Sequence, residues 1–440
     1  AQKLTQLRGH GITAVALYPG ATTVSEVPIF THAPKWRHRR SVAAPDGLSN
    51  RSVEWRWMQD KIEGYDVLRD YWGSLFAAKD VKVYVTWNRF DERIYPIADA
   101  LRRLGGITAI YQRAFQIDPN PIMSVDVELV FGLSQLDVEF ERKSGSRIDY
   151  HVAVGYTADH RVKYARPSAL KIRNKLLGNG ARRVVAYFDE NSADDSRWHT
   201  GHEFMRENYV FVLEQLLSDL TLGLLLKPKR PSSLRRRLGP VSELLERAMA
   251  TGRCYLCESG PLHGSDPPVV AALAADLVVH GHLCASTAGL EAALAGVPTL
   301  LLDREGWPSS PLYGLGIGRV VFTNWTDLWR ALREHFSRPG GIEGFGNWYP
   351  MIEQLDPFRD GRAAERMGNY LDWVIKGLRA GEGRESVLAN AADRYAAAWG
   401  HDKITRVDGR RVAAGRVHAG FSREAGGPTF TAPLSGRELS

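Results

Sequence analysis

One segment constrains this 440-residue chain more than any other: Asp276-Leu-Val-Val-His-Gly-His-Leu-Cys-Ala-Ser-Thr-Ala-Gly-Leu-Glu-Ala-Ala-Leu-Ala-Gly-Val-Pro-Thr-Leu-Leu-Leu-Asp303. Two short, wholly apolar runs bracket a stretch of small residues. That pattern predicts a buried strand, a polar loop, a helix, a Gly-Val-Pro turn and a second buried strand. Ser286 and Thr287 stand where the helix should begin. The first turn of a helix offers unpaired N–H groups and a partial positive charge, so it can hold a phosphate. Ala and Gly from 288 to 296 would let backbone and ligand approach closely. The simpler alternative is an N-capped helix in some other α/β domain.

The length suits two domains with full cores. A hydrophobic share of 44% and a charged share of 24% are ordinary for a globular protein. No apolar run approaches the ~18 residues of a membrane span. The run from Pro267 to Val279 is too short and contains Asp276. No signal-peptide pattern opens the chain, and a cytoplasmic location is expected. Three cysteines, Cys254, Cys257 and Cys284, make no disulfide framework. Cys254 and Cys257 are spaced C-x-x-C, but a zinc site would need two more ligands, so no metal is expected. The net charge of +7 is clustered at Lys35–Arg40, Lys227–Arg230 and Arg235–Arg237. It suits phosphorylated substrates or peripheral contact with an anionic membrane, the inner membrane for a cytoplasmic protein. No RNA- or DNA-binding signature accompanies it, so nucleic acid is not an expected partner.

Strands and helices alternate from Val81 onward. Val81–Thr86, Ile107–Ile110, Val127–Phe131 and His151–Gly155 read as strands of one parallel sheet, and Asp91–Leu104 as a helix. After Gly178-Asn-Gly180 a second set begins: strands at Arg183–Phe188, Leu222–Leu226, Cys254–Cys257, Asp276–Val279, Pro298–Leu302 and Arg319–Phe322. The expected organisation is a Rossmann-like domain over residues 1–165 with an irregular start, a hinge near 160–180, and a second Rossmann-like domain over 180–355. Helices over 356–405 and a disordered tail over 406–440 complete it.

Ligands of parallel sheets bind outside the carboxyl ends of the strands. In the second domain those ends carry Asp189 and Glu190, with Asp195 beyond; Lys227 and Lys229 around Pro228; and His280, His282, Ser286 and Thr287. Cations and a helix start suit a nucleotide phosphate. A carboxylate suits proton abstraction or attack on an anomeric carbon. Asp189 is the first candidate for the catalytic carboxylate and Asp195 the second. In the first domain Asn88-Arg89 and Gln112-Arg113 follow strands and are the candidates for acceptor contacts. No G-x-G-x-x-G follows a strand, which argues against a dinucleotide oxidoreductase, and no cofactor is expected beyond a donor substrate.

Phe188-Asp189-Glu190, Lys227-Pro228-Lys229 and Ser286-Thr287, in that order, resemble the signatures of bacterial sialyltransferases and Kdo transferases. Those enzymes use CMP-activated ulosonic acids and share the GT-B architecture of two Rossmann-like domains facing a cleft, with C-terminal helices crossing back. The resemblance covers roughly residues 80–400. It departs where Lys227 replaces histidine before the proline and where Asn191 replaces a glycine. It implies a metal-independent glycosyltransferase acting on a capsule, lipopolysaccharide or O-antigen acceptor, a glycan or glycolipid. It also implies a ribose contact for Glu291. Two other functions compete: a two-Rossmann nucleotide-sugar epimerase, which needs no acceptor, and a non-catalytic scaffold in polysaccharide assembly, which needs no strand-end carboxylates.

Overall fold

The computed structural model describes residues 52–115, 119–194, 201–258, 266–283 and 287–407. Asp195, Cys284, Ser286, the basic run 35–40 and the tail from 408 onward lie outside the described residues.

Helix α1 (Val53–Ala78) opens the described chain, with the Ser52 hydroxyl accepting from the Trp55 N–H. Strand β1 (Val83–Thr86), helix α2 (Ile94–Arg103), β2 (Ile107–Tyr111), β3 (Asp126–Gly132), α3 (Leu136–Ser144) and β4 (Arg147–Ala153) follow. Helix α2 stops where Gly105 takes a positive φ of 77°. The chain then forms α4 (Val162–Gly178), β5 (Arg183–Phe188), α5 (His202–Ser218), β6 (Leu222–Lys227), α6 (Leu234–Leu238), α7 (Val241–Ala250) and β7 (Cys254–Leu256). Next come α8 (Pro268–Ala274), β8 (Leu277–His280), α9 (Thr287–Leu294), β9 (Thr299–Leu302), β10 (Val321–Phe322), α10 (Trp325–Ser337) and α11 (Tyr349–Leu355). Helices α12 (Ala363–Arg379) and α13 (Arg384–Trp399) and strand β11 (Ile404–Arg406) complete it.

The strands form two sheets, one ordered β1-β2-β3-β4-β11 and the other β10-β9-β8-β5-β6-β7. Every pairing in the second sheet is parallel. Alternation explains its burial on both faces: Val185 and Tyr187 enter one apolar layer, Val184, Ala186 and Phe188 the other. The same alternation splits Leu224 and Leu226 from Leu225, and Leu277 and Val279 from Val278. The first sheet is covered on one face by Tyr370, Leu371 and Val374 of α12 and Val387, Leu388, Ala391 and Tyr395 of α13. The architecture is therefore GT-B-like, with two Rossmann-like lobes and C-terminal helices that cross back onto the first lobe.

One expectation is filled in and one is corrected. Helix α4 occupies most of the span 160–180 where the hinge was expected, and Ala165, Ala169, Ile172 and Leu176 pack into the second lobe. Its cationic residues hid an apolar stripe with helical spacing. The closing segment is not all helix, because β11 adds antiparallel to β4, with Thr405 opposite His151.

His151 is fully buried, and among the described residues neither of its ring nitrogens has a hydrogen-bond partner. The ring occupies the space a side chain at 132 would take: a Cβ on Gly132 would lie 2.3 Å from Nε2. Burial pushes the imidazole down to about 4, the nearby Arg89 adding to the effect and Glu141 opposing it. Below the unfolded value near 6.5 the unfolded chain binds this proton and the native protein does not, so the group destabilises the fold as pH falls. His151→Leu is therefore expected to gain roughly 2 kcal/mol over the wild type at pH 5 and nothing from this source at pH 7.5. Urea titrations of both proteins at the two pH values check this; an equal difference at both would refute it.

Candidate functional site

The strand order of the second sheet reverses between β5 and β8, so the connections leaving these neighbours diverge and open a crevice at their carboxyl ends. Register brings the ends level: Phe188 is opposite both Lys227 and His280, and His280 is opposite Leu301. Asp189-Glu190, Pro228-Lys229, Gly281-His282 and Asp303-Arg304-Glu305 thus leave the sheet side by side.

Asp189 is buried. Its Oδ2 accepts from the Tyr209 hydroxyl at 2.8 Å and its Oδ1 from the Lys229 N–H at 2.6 Å, while the Arg237 guanidinium stands 3.9 Å away. Burial pushes this carboxyl up to about 6, against the opposing pull of Arg237 and the two donors; the neighbouring Glu190 charge adds to the rise. Glu190 behaves oppositely. Burial alone would raise it, but His282 and Lys229 outweigh that and hold it well below the usual carboxylate range. His282 Nε2 lies 3.1 Å from Glu190 Oε2, and Lys229 Nζ is paired with Oε1. The other nitrogen of His282 lies 3.9 Å from Glu305. His280 is pushed down to about 3 by burial and by His282, and is neutral. Its Nδ1–H donates to the His282 carbonyl at 2.8 Å, which fixes the loop that carries His282.

Lys227 is buried beside Pro228, whose carbonyl accepts from Nζ at 3.2 Å. Burial lowers its ammonium, countered by Cys257, Asp189 and Glu291. Lys229 is the exposed cation of the edge, its side chain 55% accessible.

Thr287 begins α9, and its hydroxyl accepts from the Phe115 N–H of the first lobe at 2.9 Å. Glu291, one turn on, accepts from the Tyr156 hydroxyl at 2.5 Å and the Val269 N–H at 2.9 Å. Each of its oxygens accepts one hydrogen bond, so Glu291 links the Tyr156 hydroxyl of the first lobe to the start of α8. Phe115, Leu133 and Tyr156 meet Leu283, Leu290 and Leu312 in one apolar cluster around this contact.

The first-lobe candidates divide. Arg113 is exposed and lies over the Trp87 ring at 4.5 Å; Asn88 is half-buried beside it in sequence, accepting from the Phe90 N–H. Arg89 and Gln112 point inward instead. Arg89 forks onto buried Glu141 at 2.6 and 2.7 Å and onto the Met123 carbonyl. Gln112 donates to Asp137 at 2.8 Å and accepts from the Leu133 N–H at 2.7 Å. Neither is presented to an acceptor. One strand-end loop carries both outward and inward side chains, which strand-end position alone does not tell apart.

Residues the sequence reading passed over also contribute. Glu305 leaves β9 just as Glu190 leaves β5, so the strand-end rule could have found it. Buried Ser192 and Arg237 and half-buried His202 form a set behind Asp189: Ser192 Oγ is 2.8 Å from His202 Nδ1 and accepts from Arg237 at 3.0 Å. Nothing local to those residues signalled it. Cys254 and Cys257 are free and buried, and burial pushes both thiols up to about 12. Among the described residues no His, Cys, Asp and Glu side chains group as metal ligands, and no helix is long and apolar enough to cross a membrane.

No family model and no curated protein matches the chain. Several solved structures are similar to it. One, from Listeria monocytogenes and described as a UDP-N-acetylglucosamine 2-epimerase, is 16% identical over 77% of this chain and 84% of that chain, with a TM-score of 0.47. S. aureus MnaA, solved with UDP, is 12% identical over 72% of this chain and 82% of that chain, with a TM-score of 0.47. Anabaena HepE, in complex with UDP and glucose, is 14% identical over 73% and 79%, with a TM-score of 0.37.

Proposed function

We propose that this protein transfers a sugar from a nucleotide donor to a glycan or glycolipid acceptor. One observation carries the reading: two adjacent carboxyls at the point where the strand order reverses ionise oppositely, Asp189 pushed up to about 6 and Glu190 held down. In glycosyl transfer the acceptor oxygen attacks the anomeric carbon, the bond to phosphate breaks, and the nucleotide leaves with the electron pair. Positive charge develops at the anomeric carbon. A carboxylate that stays ionised, Glu190, stabilises it. The hydroxyl proton needs a base matched to neutral pH, and Asp189 is that group. Its two accepted hydrogen bonds orient it, and a carboxylate keeps further lone pairs. Lys229, Lys227, His282 and the start of α9 are the groups we assign to the departing phosphate, so the proposed reaction needs no metal and no cofactor besides the donor. The donor we favour is a CMP-activated ulosonic acid of bacterial surface polysaccharide synthesis, on the acidic pair, the Lys-Pro-Lys turn and Ser286-Thr287.

A second reading, epimerisation of a nucleotide sugar, draws on the Glu190–His282–Glu305 row. Inverting a carbon requires groups that remove and return a proton, and this row has three.

The test combines ligand binding with product analysis. CMP, UDP and GDP are each expected either to raise the melting temperature or to leave it unmoved, and the responding base names the donor. Lys229→Ala and Thr287→Ala are each expected to weaken that nucleotide roughly 10- to 100-fold, the worth of one charge-assisted hydrogen bond. Unchanged affinity in both variants would remove the phosphate site. Incubating the nucleotide sugar with and without acceptor separates the two reactions: an altered sugar formed without acceptor establishes epimerisation and overturns transfer.

A further inference from the structure

We infer that the outer face of α4 is a docking surface for an anionic lipid bilayer. The helix is 17 residues long, Val162–Gly178, and its sequence Val-Lys-Tyr-Ala-Arg-Pro-Ser-Ala-Leu-Lys-Ile-Arg-Asn-Lys-Leu-Leu-Gly contains five cations and no acid. One face is used: Ala165, Ala169, Ile172 and Leu176 pack into the second lobe. Of the cations, Arg173 lies toward that side and pairs with Asp276 at 2.7 Å. Steps of about 100° per residue place the remaining cations, Lys163, Arg166, Lys171 and Lys175, on the opposite half-circle. All four are exposed, and none forms an ion pair among the described residues.

The same half-circle exposes large apolar side chains. Tyr164 is 68% accessible, Leu170 58% and Leu177 36%. An ordinary solvated helix face alternates charges of both signs and keeps such groups covered. Long cationic side chains interleaved with Tyr and Leu suit a bilayer interface, where ammonium and guanidinium groups meet lipid phosphates and the apolar groups enter the headgroup boundary. Lys163 already lies over the Tyr164 ring, 4.9 Å from its centre, which keeps cation and aromatic side by side. Of the acids beside this face, Asp276 is paired with Arg173, Asp159 at the helix start accepts from the Gly361 N–H, and Glu258 and Asp266 share a pocket with Lys175 at one edge, where Lys175 lies over the Tyr255 ring. Charge complementarity therefore selects a surface of dense negative charge. The apolar groups select a lipid surface over a nucleic-acid backbone, which offers nothing to bury them. The inference does not depend on which sugar reaction the cleft performs.

Sedimentation of the full chain with vesicles tests it. Vesicles of phosphatidylcholine and phosphatidylglycerol at a 70:30 ratio should bind the protein, pure phosphatidylcholine should not, and added salt should release it. Each cation near such a surface contributes roughly a fivefold factor to partitioning. The variant carrying Lys163→Gln, Arg166→Gln, Lys171→Gln and Lys175→Gln should therefore lose several-hundred-fold. Tyr164→Ser with Leu170→Ser should weaken binding at unchanged net charge. All these side chains are exposed, so both variants should keep the wild-type melting temperature and nucleotide affinity. Undiminished vesicle binding by the fourfold variant would overturn the assignment. So would capture of single-stranded RNA through these four cations with no binding to the anionic vesicles.

Discussion

Turnover is expected to collapse in both Asp189→Asn and Glu190→Gln, with different pH profiles. In the wild type the rate should rise with pH through about 6, because Asp189 accepts a proton only when ionised and burial has pushed its carboxyl up to that value. Asp189→Asn cannot accept the proton. It should lose roughly 10²- to 10⁴-fold, the usual worth of general base catalysis, and its residual rate should show no limb near pH 6. Glu190→Gln removes the charge proposed to stabilise the anomeric centre and should lose about 10²- to 10³-fold. It also removes a negative neighbour that raises Asp189, so its remaining limb should move to lower pH. Nucleotide affinity should change only a few-fold in either variant, since the proposal has both groups act in the transition state. Side-by-side pH–rate profiles and nucleotide titrations on folded protein decide the matter. A limb at pH 6 that persists in Asp189→Asn would assign the base elsewhere, with the Glu190–His282 pair the next candidate and Asp195 the rival the sequence suggested.

The largest stability effect is expected at Arg89. Its guanidinium and the Glu141 carboxylate are 5% and 1% accessible and bonded at 2.6 Å. Arg89→Met leaves Glu141 buried without its counter-charge, which costs about 3–5 kcal/mol. A protein with its fold intact but this pair broken should melt many degrees lower. Asn88→Ala and Arg113→Ala, which remove side chains near the surface of the same lobe, should stay within about 0.5 kcal/mol of the wild type. Denaturant titration of the three variants checks the contrast. An acceptor-binding Arg89 would instead raise the acceptor KM and leave the melting temperature unmoved. A helix-facing role for Arg89 was invisible in the sequence because its partner, Glu141, is 52 residues away.

Much of the architecture was legible from local pattern. Runs such as Arg183–Phe188 and Leu222–Leu226 are apolar on successive residues, and only a strand covered on both faces buries both sets. Glycine ended α2 on cue, and the helices over 363–399 followed from their apolar spacing. The cationic helix α4 was not read as a helix because five charges masked its buried stripe. Strand β11 was missed because three residues are too few for periodicity, and what makes them a strand is the free edge of β4.

The candidate site divides in the same way. The sequence by itself determined which residues leave the strands: Asp189, Glu190, Lys229 and His282 stand at strand ends because the apolar runs stop there, and parallel sheets open at that edge. Only the tertiary structure decided what each touches. Adjacent Asp189 and Glu190 share solvent, loop and chemistry in the sequence. Their ionisation diverges because Asp189 turns to Tyr209 and a backbone N–H while Glu190 turns to His282 and Lys229, residues 92 and 39 positions away. Ionisation depends on burial and on charges within a few ångströms, and those distances are set by how β5, β6 and β8 pack side by side, which no local pattern encodes.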